Sequence, residues 1–168
     1  MSDTSEFIAR SMLIGVGATI TMDVWATILR GFGIPSLDFA LVGRWIANIP
    51  RGRWHHESIA RTAPVRGERL MGWCTHYAIG ITFATLLLAV FGLDWARTPK
   101  LVPALIVGVA TVVGPWFVLQ PALGAGIASS KTRTPIFNSL KSLVTHTVFG
   151  VGLFVAARAT VLIVSTGQ

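Results

Sequence analysis

The chain has 168 residues, of which 52% are hydrophobic and only 12% charged. A water-soluble domain of this length cannot bury that much apolar surface in one core, so the composition excludes an ordinary globular domain and points to a lipid bilayer. The formal net charge is +7, but the cations stand in connections between apolar runs, which is the pattern of cytoplasmic loops and not of a nucleic-acid face.

Residues 1–7 read as a short polar tail. Residues 8–29 are the first spanning candidate, flanked by Arg10 and Arg30 and close to the ~20 residues a helix needs to cross the hydrocarbon. The run is long, contains Asp23 and lacks a small-residue cleavage site, so it reads as a retained anchor. Ser11, Gly15, Thr19, Asp23 and Thr27 recur every fourth residue. On a helix that spacing makes one small and polar stripe, which turns inward because polar groups in lipid need partners.

Gly33-Ile34-Pro35-Ser36 breaks this helix. Residues 37–49 are apolar but too short to span, so they predict an interfacial or re-entrant helix with Trp45 as a headgroup anchor. A basic connection to Arg69 follows, with His55, His56, Glu57 and Glu68 in it. Residues 70–91 form the second span and residues 92–100 a turn. Residues 101–120 form the third span, in which Gly114-Pro115 predicts a kink. A small-residue connection leads to the fourth span, residues 138–158. Its Gly124–Thr132 part reads as a tight turn with surface serines, the alternative being a cradle for a phosphate or lipid headgroup. Cys74 cannot form an internal disulfide and reads as a small buried side chain.

The prediction is therefore an all-α polytopic membrane protein, residues 1–168 forming a single integral membrane domain. The first and third connections hold most of the basic residues. Arginine and lysine counting then puts both of these in the cytoplasm and both termini on the outer side. Two stripes match: Gly72, His76 and Gly80 are echoed by Ser142, His146 and Gly150, while Gly15-Val16, Ala18-Thr19 and Trp25 resemble Gly108-Val109, Ala110-Thr111 and Trp116. The chain thus reads as a candidate duplicated helix pair.

At 1.5 Å per residue, Asp23 and His76 lie roughly 10 Å below the cytoplasmic boundary and His146 roughly 7 Å below it. Gln120 ends the third span on that side, and Tyr77 adjoins His76. His55, His56 and Glu68 fall at the interfacial mouth, and nothing comparably polar appears in the outer half. Ionisable groups inside a membrane are costly and mark function or a structural polar clasp. The leading expectation is a non-enzymatic binding or transport-type bundle for a proton, metal ion or small ligand, with Asp23, His76, His146, Gln120 and Tyr77 as its site. Asp23, His76 and His146 are the metal candidates. The other class is an accessory or scaffold subunit of a larger membrane complex, in which Trp25, Trp73, Trp95 and Trp116 meet partner helices; self-association is a further option. Two lesser readings remain. One is a bis-histidine haem on His76 and His146, with neighbouring glycines giving the ring room. The other is a membrane enzyme acting on a lipid or quinone, whose acid-base groups are His55, His56, Glu57 and Glu68. No H-E-x-x-H or G-x-S-x-G motif supports the enzyme.

The blocks GVGAT with MD-W, GIPSLDFALVGRW with PRGR, GW with HYAIGI, and LQPALGAGIASSKT ahead of a histidine-bearing last helix resemble a bacterial family, the domain of unknown function 2938. The resemblance runs from about Ile14 to Ala157. It implies a small multi-span protein of the bacterial inner membrane and carries no functional residues with it.

Overall fold

The computed structural model describes residues 2–165, and among them every regular element is helical. Helix α1 spans Asp3–Gly31. It begins before the expected span because Ser2 caps it, its hydroxyl accepting from the Ser5 amide, and because Asp3 and Glu6 occupy the first turn, where the helix dipole favours anions. Helix α2 spans Phe39–Asn48, capped by the Asp38 carboxylate, which accepts from the Ala40 amide at 2.9 Å. Helix α3 spans Glu68–Arg97 and is interrupted at Gly92, whose φ of 76° and ψ of 170° are not helical. The turn expected from residue 92 onward is thus a break at that glycine, followed by a further helical stretch.

Helix α4 spans Leu101–Ala110. The kink expected at Gly114-Pro115 takes the form of a wide π turn over Pro115–Leu119, because a proline there lacks the N–H that an α-helical ladder needs. The short α5, Gln120–Leu123, completes that span, and α6 runs from Pro135 to Ser165. Among the described residues four helical stretches are long and apolar enough to cross a membrane: Asp3–Gly31, Glu68–Arg97, Leu101–Leu123 and Pro135–Leu162.

The chain divides into two compact units. The first comprises Met1–Ile34, Tyr77–Ala110 and Thr145–Gln168, and the second Pro35–His76 and Thr111–Val144. In the first unit Ile14, Ala18, Leu87, Leu88, Phe149 and Leu153 form the centre of the core. The α1 stripe behaves as its spacing predicts, since Ser11, Gly15 and Thr19 are buried, whereas Thr27 is exposed at the helix end. The opposite face leaves Ile8, Met12, Leu13, Ile20 and Val24 exposed, an arrangement suited to lipid and not to water.

Glycines set the helix spacing of this unit. A β-carbon on Gly15 would overlap the α3 backbone at Gly80 and Ile81, and one on Gly108 would overlap the α6 backbone at Gly150. These are equivalent positions of the two matched helix pairs, so the same close contact occurs twice. In the second unit Gly43 on α2 and Gly72 on α3 face each other's backbones in the same way.

Candidate functional site

In the first unit the Tyr77 hydroxyl donates to the Asp23 carboxylate at 2.9 Å, and both side chains are half-buried. The bond joins α1 to α3 and gives a carboxylate on a helix of membrane length a defined partner. Threonine hydroxyls on α1 turn back onto their own helix: Thr19 donates to the Gly15 carbonyl and Thr27 to the Asp23 carbonyl. His146 belongs to the same unit and is half-buried on α6.

The first unit also contains a polar cluster that sequence reasoning missed, near the start of α1 and more than a dozen residues before Asp23. Arg10 is only 6% exposed. Its Nε donates to Glu6 at 2.8 Å, and one Nη reaches both the Ala96 carbonyl and the Thr160 hydroxyl. Arg97 pairs with Glu6 at 2.6 Å and with Asp3 at 3.0 Å. The Glu6 to Arg10 spacing of four residues was the one available signal; Ala96 and Thr160 are remote in sequence.

His76 and Gln120 belong to the second unit. The His76 ring packs on Phe39 of α2 with centroids 4.3 Å apart, and Trp73 lies edge-on at 5.9 Å. Gln120 donates to the Ser142 hydroxyl at 3.1 Å, so the small residue of the second histidine stripe serves as a hydrogen-bond partner. The glycines that gave room for a haem ring are filled by protein. Gly72 abuts the Phe39 carbonyl, Gly80 abuts Thr19, and Gly150 abuts Ala104 and Leu105. Their role is close helix packing.

The connection after α2 is an ordered structure built on one ion pair. Arg44 donates from Nε and Nη2 to the two oxygens of Glu68, both at 2.8 Å. Its remaining Nη donates to the Thr62 carbonyl at 2.8 Å and to the Ile59 carbonyl at 3.3 Å. Glu68 also accepts from the Val65 amide at 2.8 Å. The Glu68 hydrogen bonds push the Arg44 guanidinium above its usual pKa, which keeps it charged. Both Glu68 oxygens are thus committed to holding the loop. His55 is exposed. His56 packs inward, its amide donating to the Ala122 carbonyl at 3.0 Å, and its two ring nitrogens are shielded with no partner among the described residues.

The Gly124–Thr132 stretch folds on itself. The amides of Ala125, Ser129, Ser130, Lys131 and Thr132 are all donated to carbonyls between Gln120 and Ser129, which favours the tight turn over a phosphate cradle. Ala128 and Ser129 adopt left-handed backbone conformations, φ 47° and 62°. Trp45 is half-buried and its indole donates to the Trp54 carbonyl at 2.9 Å, while Trp54 is exposed. The expectations for Cys74 and Trp95 are corrected. Cys74 is exposed on the surface of α3. Trp95 belongs to the core, where its indole donates to the Lys100 carbonyl. Among the described residues no three His, Cys, Asp or Glu side chains gather as a metal site requires.

Four membrane-length apolar helices with polar side chains turned inward define a polytopic helical membrane protein. Residues 12–160, nearly the whole chain, match the family described as protein of unknown function (DUF2938), and the chain belongs to it. No curated protein and no solved structure matches the chain.

Proposed function

We propose that the protein is a non-enzymatic membrane bundle that binds and passes protons, with Asp23 as the exchanging group and Tyr77 as its hydrogen-bond partner. The carrying observation is the 2.9 Å bond from Tyr77 to Asp23, which lies within helices of membrane length. A carboxylate in lipid is costly to keep, and one held by a tyrosine hydroxyl, itself a donor and an acceptor, has a partner through which a proton can move. His146, in the same unit, is the second exchanging group of this reading. His76 and Gln120, which belong to the second unit, are further polar groups of this reading. The absence of a three-residue ligand group among the described residues favours a proton over a metal ion.

The test is an acid pulse applied to proteoliposomes that contain a pH-sensitive dye. Wild-type protein is expected to relax the gradient faster than empty vesicles, and Asp23→Asn to reduce the rate to that of empty vesicles. Equal rates for wild type and Asp23→Asn would refute the reading. The reading also places the protein in the bacterial inner membrane, the basic connections in the cytoplasm and both termini outside. A terminal reporter active only in the cytoplasm must stay silent.

A further inference from the structure

An open groove of about 430 Å³ lies within the second unit, between the 127–130 turn and the first turns of α6. Its walls are apolar: Trp116, Ile127, Pro135, Ile136, Leu140 and Leu143. Ile136 is 78% exposed, so the wall is available to an occupant. The chain passes from Ser130 to Pro135, both on the wall, through Lys131 and Arg133. Both cations are exposed, and neither makes an ion pair among the described residues. No aspartate or glutamate follows Asp94 in the sequence, and Glu57, whose backbone lies against Gly124, makes no ion pair with either cation among the described residues. The contrast with the first unit is direct, because there Arg10 and Arg97 are paired with Glu6 and Asp3.

We infer that this groove is a binding site for one anionic phospholipid, with an acyl chain along Ile136, Leu140 and Trp116 and the phosphate at Lys131 and Arg133. Charge complementarity selects this occupant. An apolar trough whose wall residues Ser130 and Pro135 bracket two unpaired cations in the chain matches a molecule with an apolar tail and a negative head. A zwitterionic lipid leaves the cations without net compensation. The corresponding segment of a second copy would bring the same unpaired cations against these.

Protein purified in a neutral detergent tests this by native mass spectrometry and thermal shift, with phosphatidylglycerol and phosphatidylcholine as the probes. One phosphatidylglycerol is expected to be retained, about tenfold more tightly than phosphatidylcholine. Lys131→Gln with Arg133→Gln should erase that preference, while Arg51→Gln with Arg53→Gln should leave it intact. Ile136→Ala, which trims the wall at an exposed position without adding a charge, should weaken retention of both lipids and decides the matter if the double variant does not fold. Equal retention of the two lipids, or wild-type retention by both groove variants, would overturn the site. So would efficient disulfide crosslinking of Leu140→Cys between copies, which would make the groove a dimer contact.

Discussion

The α4 backbone at Gly108 rests against the α6 backbone at Gly150, with no room for a β-carbon on either. Gly108→Ala must push two spanning helices apart. Overpacking of this kind costs about 1–3 kcal/mol, and a thermal-unfolding shift in detergent measures it. Gly31→Ala is the matched control. Nothing lies within 4 Å of a β-carbon there, so the variant should be neutral or more stable by up to about 1 kcal/mol, from helix propensity alone. Gly15→Ala, at the equivalent contact of the first helix pair, should behave as Gly108→Ala does.

The Arg44–Glu68 pair is expected to behave as the clasp of the second unit. Glu68→Gln keeps the shape and removes the charge. It leaves Arg44 buried among carbonyls without its counter-ion, at a cost of about 3 kcal/mol. Limited proteolysis of residues 52–66 reads the consequence. The variant should be cut in that connection much faster than wild type. If Glu68 instead served catalysis or access, the variant would resist proteolysis as well as wild type does.

Ala128 sits at φ 47° and ψ 43°, a left-handed conformation that strains any residue with a β-carbon by about 1–2 kcal/mol. Ala128→Gly relieves that strain and loses part of the gain to chain entropy, for a net stabilisation of about 0.5–1 kcal/mol. A raised melting temperature is the expected result. The neighbouring Ser139 hydroxyl holds the Ala128 carbonyl, so Ser139→Ala should loosen the same turn.

The four spans and the short α2 were legible in the sequence because they follow from local features: the length of the apolar runs, the Gly33-Ile34-Pro35 break and the Gly114-Pro115 step. The start of α1 was not, since it depends on one cap and one ion pair within a stretch that composition alone marks as a tail. The buried setting of Arg10 was hidden for a different reason. Its partners, Ala96 and Thr160, come from helices far away in the chain.

The candidate site shows the same division. Depth arithmetic put Asp23 level with His76, but depth has no rotational phase. Neighbouring residues on a helix point about 100° apart. The phase is set by the fold: within the first unit the Tyr77 hydroxyl meets Asp23, and within the second the His76 ring stacks on Phe39. The role of Glu68 was likewise invisible, because it depends on the path of a loop that brings Val65 and Thr62 back toward Arg44.

The central claim is that Asp23 exchanges protons and does not merely tie α1 to α3. The most direct measurement compares Asp23→Asn with Asp23→Glu in the proteoliposome flux assay, at matched insertion. Asparagine can still accept from Tyr77 but cannot titrate, whereas glutamate restores the carboxylate. The account predicts flux lost in Asp23→Asn and at least partly restored in Asp23→Glu, with both proteins folded. Flux retained in Asp23→Asn, with only melting temperature changed in either variant, would contradict it and leave the pair a structural clasp.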